Sequence, residues 1–345
     1  MSRKNANRRP TIHDVAARAS VSAATASKVV RGVAGVKKMN VERVRAAMIE
    51  LNYRMDPIAS GLRNERRRII GAIVPDLESA FFGALLTELE KLAEEAGYHL
   101  IVSSARGSEA READLVSRMN DWRVIGTILV PVRSERGLGA EKLRELDMRA
   151  VLVDRVNIDD RYDTVTADNS AASASVAEML LAQNHRRILI HGATRISKSI
   201  RLRMEGFTAR VRELDETVRI DTLLSDESLD IQRQAIRDYF DEAGDNRPTA
   251  VFSLSQHSTL LVLSELRRRN LRIPNDVCLV GFDDADWMQT TWPSITAVAQ
   301  PVEAMAQKAL QVLLARASDE VTGPPEHHLE SCQLFGRQST EREAD

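Results

Sequence analysis

The sequence predicts a small all-α helix-turn-helix head followed by a larger α/β body with two Rossmann-like lobes. Residues 1–68 hold 16 lysine and arginine residues against 5 acidic ones, whereas the rest of the chain holds 32 against 45. Apolar residues recur at helical spacing within residues 11–51. From Ile69 onward, apolar runs of four to seven residues alternate with amphipathic stretches. A chain of 345 residues is long enough to contain both parts.

Three short helices are expected in the head. Thr11 begins the first, with Asp14 three residues later, which is close to the capping-box pattern. Ser22 caps a second helix that runs to about Val30, and a third helix spans about 38–51. Two helices of about eight residues joined by a turn of three to four residues form the helix-turn-helix motif.

The charge of the head indicates a polyanionic partner, although a solvated basic tail is the alternative. In helix-turn-helix proteins, the first residues of the second helix face base edges in the major groove. Ala23 and Ala24 can contact thymine methyl groups there, and Lys28 can donate to guanine. Hydroxyl-bearing residues are the expected phosphate contacts: Thr11, Ser22, Thr25, Ser27 and Tyr53. Thr25 and Ser27 alternatively only solvate the helix surface.

The sequence of the body predicts strands that alternate with helices. The predicted strands are 69–75, 99–102, 126–131, 150–153, 164–167, 188–191, 250–253 and 277–281. The predicted helices are 81–96, 109–120, 170–183, 201–214, 260–270 and 302–315. Such alternation predicts parallel sheets with right-handed crossovers. The units are too numerous for one doubly wound sheet, so two lobes are expected.

Polar and aromatic residues near the carboxyl ends of the predicted strands are candidate effector contacts, because ligands of open α/β sheets bind there. They are Asp76, Phe81, Phe82, Asp154, Arg203, Ser255, Asp283 and Trp287. Carboxylates, a guanidinium group and an aromatic face together suit a sugar or a sugar acid. Each residue by itself fits a surface group or a strand cap equally well.

Several classes of protein are disfavoured by what the sequence lacks. It has no GxGxxG after a strand, no P-loop, no GxSxG and no His/Cys cluster, so neither an enzyme nor a cofactor or metal site is expected. Two cysteines cannot form a disulfide framework and are expected to be reduced. The basic N-terminus precedes no apolar run, and no apolar stretch could span a bilayer. We therefore expect a cytoplasmic protein without a membrane partner.

Several segments, in the same order along the chain, resemble the LacI/GalR (lactose-repressor) family of bacterial transcription regulators. They are TIHDVAARASVSAATASKVV, NYRMDPIASGLRN, IIGAIVPDLESAFF, VGFDDADW, WPSITAVAQPVEAMAQKAL and FGRQST. The resemblance implies a DNA-binding head, a hinge helix and a body of periplasmic-binding-protein type. It also implies a homodimer or tetramer that binds a near-palindromic operator in double-stranded DNA.

The resemblance also assigns boundaries and residues. It implies a helix-turn-helix domain at 1–56, a hinge helix and linker at 57–68, and an effector-binding and dimerisation domain at 69–345. Within the hinge helix, Leu62 is expected to wedge into the minor groove, and Ile58 and Ala59 are further expected DNA contacts. The alternative for Leu62 is packing on the body. Arg203 and Asp283 match the family's ligand anchors, whereas Ser255-Gln256 replaces the family's common Asn-Asp.

The resulting functional hypothesis is a ligand-responsive, sequence-specific transcription regulator. It is expected to repress a carbohydrate or sugar-acid utilisation operon and to be induced by its effector, with corepression as the alternative direction. Two alternatives remain at this stage: a DNA-binding protein that does not respond to an effector, and a sugar-processing enzyme.

Overall fold

The computed structural model describes residues 10–30, 33, 35–51, 53, 68–134, 136–156, 161–193, 197–225 and 228–341. The chain divides between Arg67 and Arg68 into two compact units. Among the described residues, no helix has both the length and the apolar character needed to cross a bilayer.

The head contains the three predicted helices, α1 (Ile12–Ala19), α2 (Ala23–Val30) and α3 (Lys38–Glu50). Thr11 and Asp14 form a capping box at the start of α1, in which the Asp14 carboxylate accepts from the Thr11 backbone N–H at 2.7 Å. Ser20 ends α1 in the left-handed conformation, with φ of 54°. Local sequence signals therefore set both ends of α1.

Small residues dominate the core of the head. The buried residues are Val15, Ala16, Ala19, Ala26, Val44 and Ala47. Four of these six are alanines, so the three helix backbones can approach one another closely. Met48 and Leu51 are half-buried and pack against the edge of this core.

Within its described residues, the body contains two six-stranded sheets. Sheet A comprises β1 (Ile69–Val74), β2 (His99–Ser104), β3 (Thr127–Leu129), β4 (Ala150–Val153), β5 (Asp163–Ala167) and β11 (His327–Glu330). Sheet B comprises β6 (Arg187–Gly192), β7 (Arg219–Leu224), β8 (Ala250–Ser253), β9 (Cys278–Phe282), β10 (Thr296–Ala299) and β12 (Gln333–Phe335). Their strand orders, β11-β5-β4-β3-β1-β2 and β12-β10-β9-β8-β6-β7, are equivalent.

Helices accompany each sheet. The remaining helices, in chain order, are α4 (Ala80–Glu95), α5 (Glu109–Asp121), α6 (Leu138–Glu145), α7 (Asn169–Ala182), α8 (Lys198–Leu214), α9 (Leu229–Ala243), α10 (Gln256–Arg268), α11 (Asp286–Thr290) and α12 (Val302–Ala317). We call sheet A with α4, α5, α6 and α12 lobe 1, and sheet B with α7 to α11 lobe 2. Each sheet has buried apolar clusters on both faces. Burial on both faces explains why the central strands are continuous apolar runs.

The chain passes between the lobes three times. The first crossover, Asp168–Asn169, joins β5 to α7, the second, Gln300–Pro301, joins β10 to α12, and the third, Ser331–Cys332, joins β11 to β12. The first and third are hydrogen-bonded, because the Asp168 N–H donates to the Glu330 carbonyl at 2.8 Å.

The prediction of two parallel sheets needs two corrections. Strand β12 pairs antiparallel with β10, whereas the other pairings are parallel. The sequence analysis also did not predict β7, β10, β11, β12, α6, α9 and α11. Strand β7 lies at a sheet edge and is half exposed, with charged residues among its apolar ones, so its sequence lacks the apolar run that a central strand shows.

Candidate effector site and DNA-reading helix

Arg203 on α8 is the most extensively held side chain of the candidate effector site. Its Nε donates to Asn169 Oδ1 at 2.7 Å, and its Nη1 donates to the Leu254 carbonyl at 2.8 Å. The guanidinium carbon lies 3.6 Å from the centroid of the Phe282 ring. The side chain is 3% exposed, so this charge is fixed in a low-dielectric environment by directed contacts.

Asp283 is the acidic partner of Arg203. It directly follows β9 in the left-handed conformation, with φ of 66°. Its Oδ1 lies 3.4 Å from Arg203 Nη1 and accepts a hydrogen bond from Gln300 Nε2 at 2.6 Å. The two family-matched anchors therefore lie together at the carboxyl end of sheet B.

Asp154 is the acidic residue that lobe 1 contributes. It follows β4, also with φ of 66°, and is 5% exposed. Burial raises the pKa of its carboxyl group, whereas the charges of Arg155 and Arg203 and a hydrogen bond from Ser199 lower it. Its Oδ1 has no hydrogen-bond partner among the residues that the structure describes. A buried acceptor of this kind is suited to a donor group supplied by a ligand.

The side chains of two further candidates, Asp76 and Ser255, accept hydrogen bonds from backbone N–H groups close to them in sequence. Asp76 Oδ1 accepts from the backbone N–H groups of Glu78 and Ser79, at 3.1 and 2.9 Å. Ser255 caps α10, and its Oγ accepts from the Ser258 N–H at 3.3 Å. These contacts match the strand-cap reading of single residues, and an effector contact of Asp76 or Ser255 stays a prediction.

The three aromatic candidates pack into hydrophobic clusters. Phe81 and Phe82 are buried in the core of lobe 1, and the Arg155 guanidinium carbon lies 5.3 Å from the Phe82 ring centroid. Trp287 on α11 is half-buried against the lobe 2 cluster that contains Met288. Because these rings have packing partners of their own, their contact with an effector stays a prediction.

The sequence analysis did not include three residues that contact the charged pair, Asn169, Phe282 and Gln300, or Ser199, which hydrogen-bonds to Asp154. Phe282 adjoins Asp283, so its position at a strand end was available as a signal. Asn169 and Gln300 follow β5 and β10 at the same sheet ends, and β10 itself was not predicted. The nearby buried His191, at the end of β6, has its pKa lowered to about 4 by burial.

In the head, the predicted DNA contacts of α2 lie on either side of the buried Ala26 in sequence. Ala26 is buried, Ser22, Ala24 and Lys28 are exposed, and Ala23, Thr25 and Ser27 are half-buried. The Ser22 and Thr25 hydroxyl groups lie 2.9 Å apart. Thr11 caps α1, and Tyr53 packs against the head core. Ile58, Ala59 and Leu62 lie outside the described residues, so the hinge-helix contacts stay predictions.

A helix-turn-helix head and a two-sheet α/β body together define the class of bilobed transcription regulators. Residues 11–56 match the family model for bacterial regulatory proteins of the lacI family, and residues 177–340 match the periplasmic binding protein-like domain. The chain therefore combines a DNA-binding domain of the lacI family with a periplasmic binding protein-like domain.

The chain is similar over nearly its full length to characterised regulators. It is 27% identical to the HTH-type transcriptional regulator KdgR of Bacillus subtilis, covering 93% of this chain and 95% of the relative. It is also 27% identical to the HTH-type transcriptional repressor CytR of Escherichia coli, covering 96% of both chains. These relatives are DNA-binding transcription regulators and not enzymes.

Solved structures resemble the whole chain as well. A complex of the transcriptional regulator CelR with cellobiose has a TM-score of 0.71 and 25% identity, covering 96% of this chain and 100% of that one. The lac repressor dimer bound to operator and the anti-inducer ONPF has a TM-score of 0.84 and 23% identity, covering 96% and 99%. The second likeness concerns the fold alone.

Proposed function

We propose that this protein is a cytoplasmic, effector-responsive repressor of a carbohydrate or sugar-acid utilisation operon. The observation that carries the proposal is the charged site of the body, in which Arg203 and Asp283 from lobe 2 share an electrostatic environment with Asp154 from lobe 1, whose Oδ1 has no hydrogen-bond partner among the described residues. A ligand that engages both lobes there can change their relative arrangement.

The groups of this site favour a polyhydroxylated ligand. Asp154 and Asp283 offer carboxylate oxygens to hydroxyl donors, and Arg203 offers a guanidinium group to hydroxyl or carboxylate oxygens. Burial excludes competing water, so each such hydrogen bond is stronger than on the surface. The complex of the similar regulator CelR contains cellobiose, which supports a sugar as the effector class.

The head is proposed to bind double-stranded operator DNA through α2. Ala24 and Lys28 are exposed on that helix, so both can reach base edges in the major groove. Two heads are needed for a near-palindromic site, and the solved lac repressor on operator DNA is a dimer. We therefore propose a homodimer, with a tetramer as the alternative assembly, and induction by the effector as the direction of control.

Binding of the full-length protein to promoter fragments flanking its own gene tests the DNA part of the proposal. We expect an affinity that falls steeply with salt concentration, because lysine and arginine contacts release counterions from DNA. Lys28→Ala should cost about 1–3 kcal/mol on the preferred sequence and relax base preference at one position. Lys142→Ala, a control in lobe 1 outside the head, should leave operator affinity unchanged.

Three results would count against this proposal. If no promoter fragment shows salt-sensitive binding, the proposal of DNA binding is wrong. If Lys28→Ala lowers the affinity for all sequences equally, Lys28 does not read bases. Thermal-shift measurements with cellobiose, glucose, gluconate and galacturonate test the effector part. If none of these shifts the melting temperature, a DNA-binding protein that does not respond to sugars becomes the better account.

A further inference from the structure

Two amide side chains, that of the buried Asn169 and that of the half-buried Gln300, connect the charged pair of lobe 2 to the crossovers between the lobes. Asn169 belongs to the first crossover and Gln300 to the second. Each of them contacts one member of the Arg203–Asp283 pair. Polar groups that link a binding site to the points where two lobes join are placed to couple ligand binding to lobe movement.

Asn169 uses both ends of its amide. Its Oδ1 accepts from Arg203 Nε at 2.7 Å, and its Nδ2 donates to the Ala167 carbonyl at 2.9 Å. Ala167 is the last residue of β5 in lobe 1, whereas Arg203 lies on α8 of lobe 2. The side chain is 1% exposed, so water does not compete for either bond. Asn169 is therefore a direct bridge between a lobe 1 strand and the lobe 2 guanidinium group.

Gln300 makes the corresponding contact to the acidic member. Its Nε2 donates to Asp283 Oδ1 at 2.6 Å, and its backbone carbonyl accepts from the Val302 N–H at 2.9 Å, where α12 of lobe 1 begins. Its Oε1 is buried and has no hydrogen-bond partner within the described part of the chain. The amide is thus held at the second crossover mainly by the Asp283 carboxylate.

We propose that Asn169 and Gln300 are positioning residues that tie the Arg203–Asp283 pair to two crossovers and so set the arrangement of the lobes. This inference rests on the proposed function in one respect, because the ligand that would engage the Arg203–Asp283 pair is the proposed effector. That ligand would act on the crossovers through these two amides. Both bonds involve a charged group, so they are stronger than bonds between neutral partners.

The third crossover contains a natural reporter of this arrangement. Cys332 packs against the cores of both lobes. The other cysteine, Cys278, is fully buried in the core of lobe 2. Loosening of the crossovers should expose Cys332 alone, whereas unfolding of lobe 2 should expose Cys278. Comparison of the two thiols therefore separates a local change from general destabilisation.

The test is the rate of alkylation by N-ethylmaleimide in the full-length protein, measured for each cysteine by mass spectrometry. Asn169→Ala and Gln300→Ala should each raise the Cys332 rate about fivefold while the Cys278 rate stays unchanged. The matched controls Asn120→Ala and Gln234→Ala, at exposed helix positions, should not change either rate. If the alanine variant of Asn169 unfolds, Asn169→Asp keeps the acceptor for Arg203 and loses the donor to Ala167, and should still raise the Cys332 rate.

A double-variant comparison tests whether Gln300 acts through Asp283. Asp283→Ala and Gln300→Ala should each raise the Cys332 rate, and the double variant should raise it no further than Asp283→Ala, because both remove the hydrogen bond between Gln300 and Asp283. Multiplied effects in the double variant would overturn the proposal, as would unchanged Cys332 rates in the single variants. These measurements need neither DNA nor ligand, so a failure of operator binding would end the proposed function without altering their outcome.

Discussion

The two lobes of the body have the same strand order, yet they contribute different chemistry to the site. Asp154 follows β4 and Asp283 follows β9, which occupy equivalent places in the two sheets, and both have φ of 66°. Asp283 is paired with Arg203 and hydrogen-bonded to Gln300. The Asp154 Oδ1 has no partner among described residues, and Arg155 Nε lies 3.9 Å from its other oxygen.

The difference shows that strand topology sets the position of each aspartate, whereas the neighbouring side chains determine its hydrogen bonds and its pKa. Lobe 2 has a preassembled group of hydrogen-bonded charges, stacked on Phe282. Lobe 1 presents a buried acceptor whose pKa is raised by that burial. A preorganised group loses little entropy when a ligand binds, so lobe 2 is expected to receive the effector first and lobe 1 to complete the site.

The largest expected effect is loss of the lobe 2 charge. Arg203→Met should lower the free energy of unfolding by about 3–5 kcal/mol, because it leaves Asp283 as a poorly compensated carboxylate and Asn169 without its partner. Urea denaturation measures this change. Arg201→Met, an exposed position on the same helix, should change the value by less than about 0.5 kcal/mol. Similar losses in the two variants would contradict a preassembled site.

The next comparison concerns pH and takes one buried group with a displaced pKa from each lobe. In lobe 1, burial raises the pKa of Glu112 on α5 from 4.5 to about 7, although the Val132 and Gly139 backbones partly oppose this. The folded state therefore holds this proton more tightly than the unfolded state. Its contribution to stability is complete below pH 4.5 and is lost as pH rises to about 7.

In lobe 2 the sign is opposite. Burial lowers the pKa of His191 from 6.5 to about 4, so its contribution is complete above pH 6.5 and is lost as pH falls to about 4. Each shift corresponds to at most about 3 kcal/mol. Relative to the parent, Glu112→Gln should gain stability with rising pH and His191→Gln should gain it with falling pH.

Urea denaturation across this pH range measures both slopes. Glu141→Gln and His257→Gln, at exposed positions in lobe 1 and lobe 2, are the matched controls and should follow the parent at every pH. If Glu112→Gln and His191→Gln shift stability in the same direction with pH, the contrast between the lobes is wrong.

The smallest expected effect compares two helical glycines. A Cβ on Gly206 of α8 would lie 2.5 Å from the Ser170 carbonyl oxygen of α7, so alanine there must separate two helix backbones. Gly206→Ala should cost about 2 kcal/mol of stability. A Cβ on Gly83 of α4 meets nothing within 4 Å, so Gly83→Ala should gain about 1 kcal/mol from helix propensity. Thermal denaturation of the two variants should show melting temperatures that move in opposite directions.

Local signals predicted the elements that are defined by contacts near in sequence. The Thr11 and Asp14 side chains lie three residues apart, and their capping box was legible from spacing alone. The central strands β1 and β4 were legible because burial on both faces requires a continuous apolar run. Edge strands such as β2 and β7 are half exposed, so their patterns are weaker, and only β2 was predicted.

The site could be predicted only in part. The strand-end rule found Asp154, Arg203 and Asp283, which the structure brings into one electrostatic environment. The same rule also selected Asp76 and Ser255, whose side chains hydrogen-bond to nearby backbone N–H groups. A position at a strand end does not indicate which group the side chain will contact.

The sequence by itself determined that a basic three-helix head precedes an acidic body of alternating strands and helices. The tertiary structure alone decided that Asn169 and Gln300 hold the charged pair at the crossovers. The hydrogen bond of Arg203 to Asn169 joins residues 34 apart in the chain, and its bond to Asp283 joins residues 80 apart. Contacts over such separations depend on how the chain passes between the lobes. Short-range periodicity in the sequence does not predict that path.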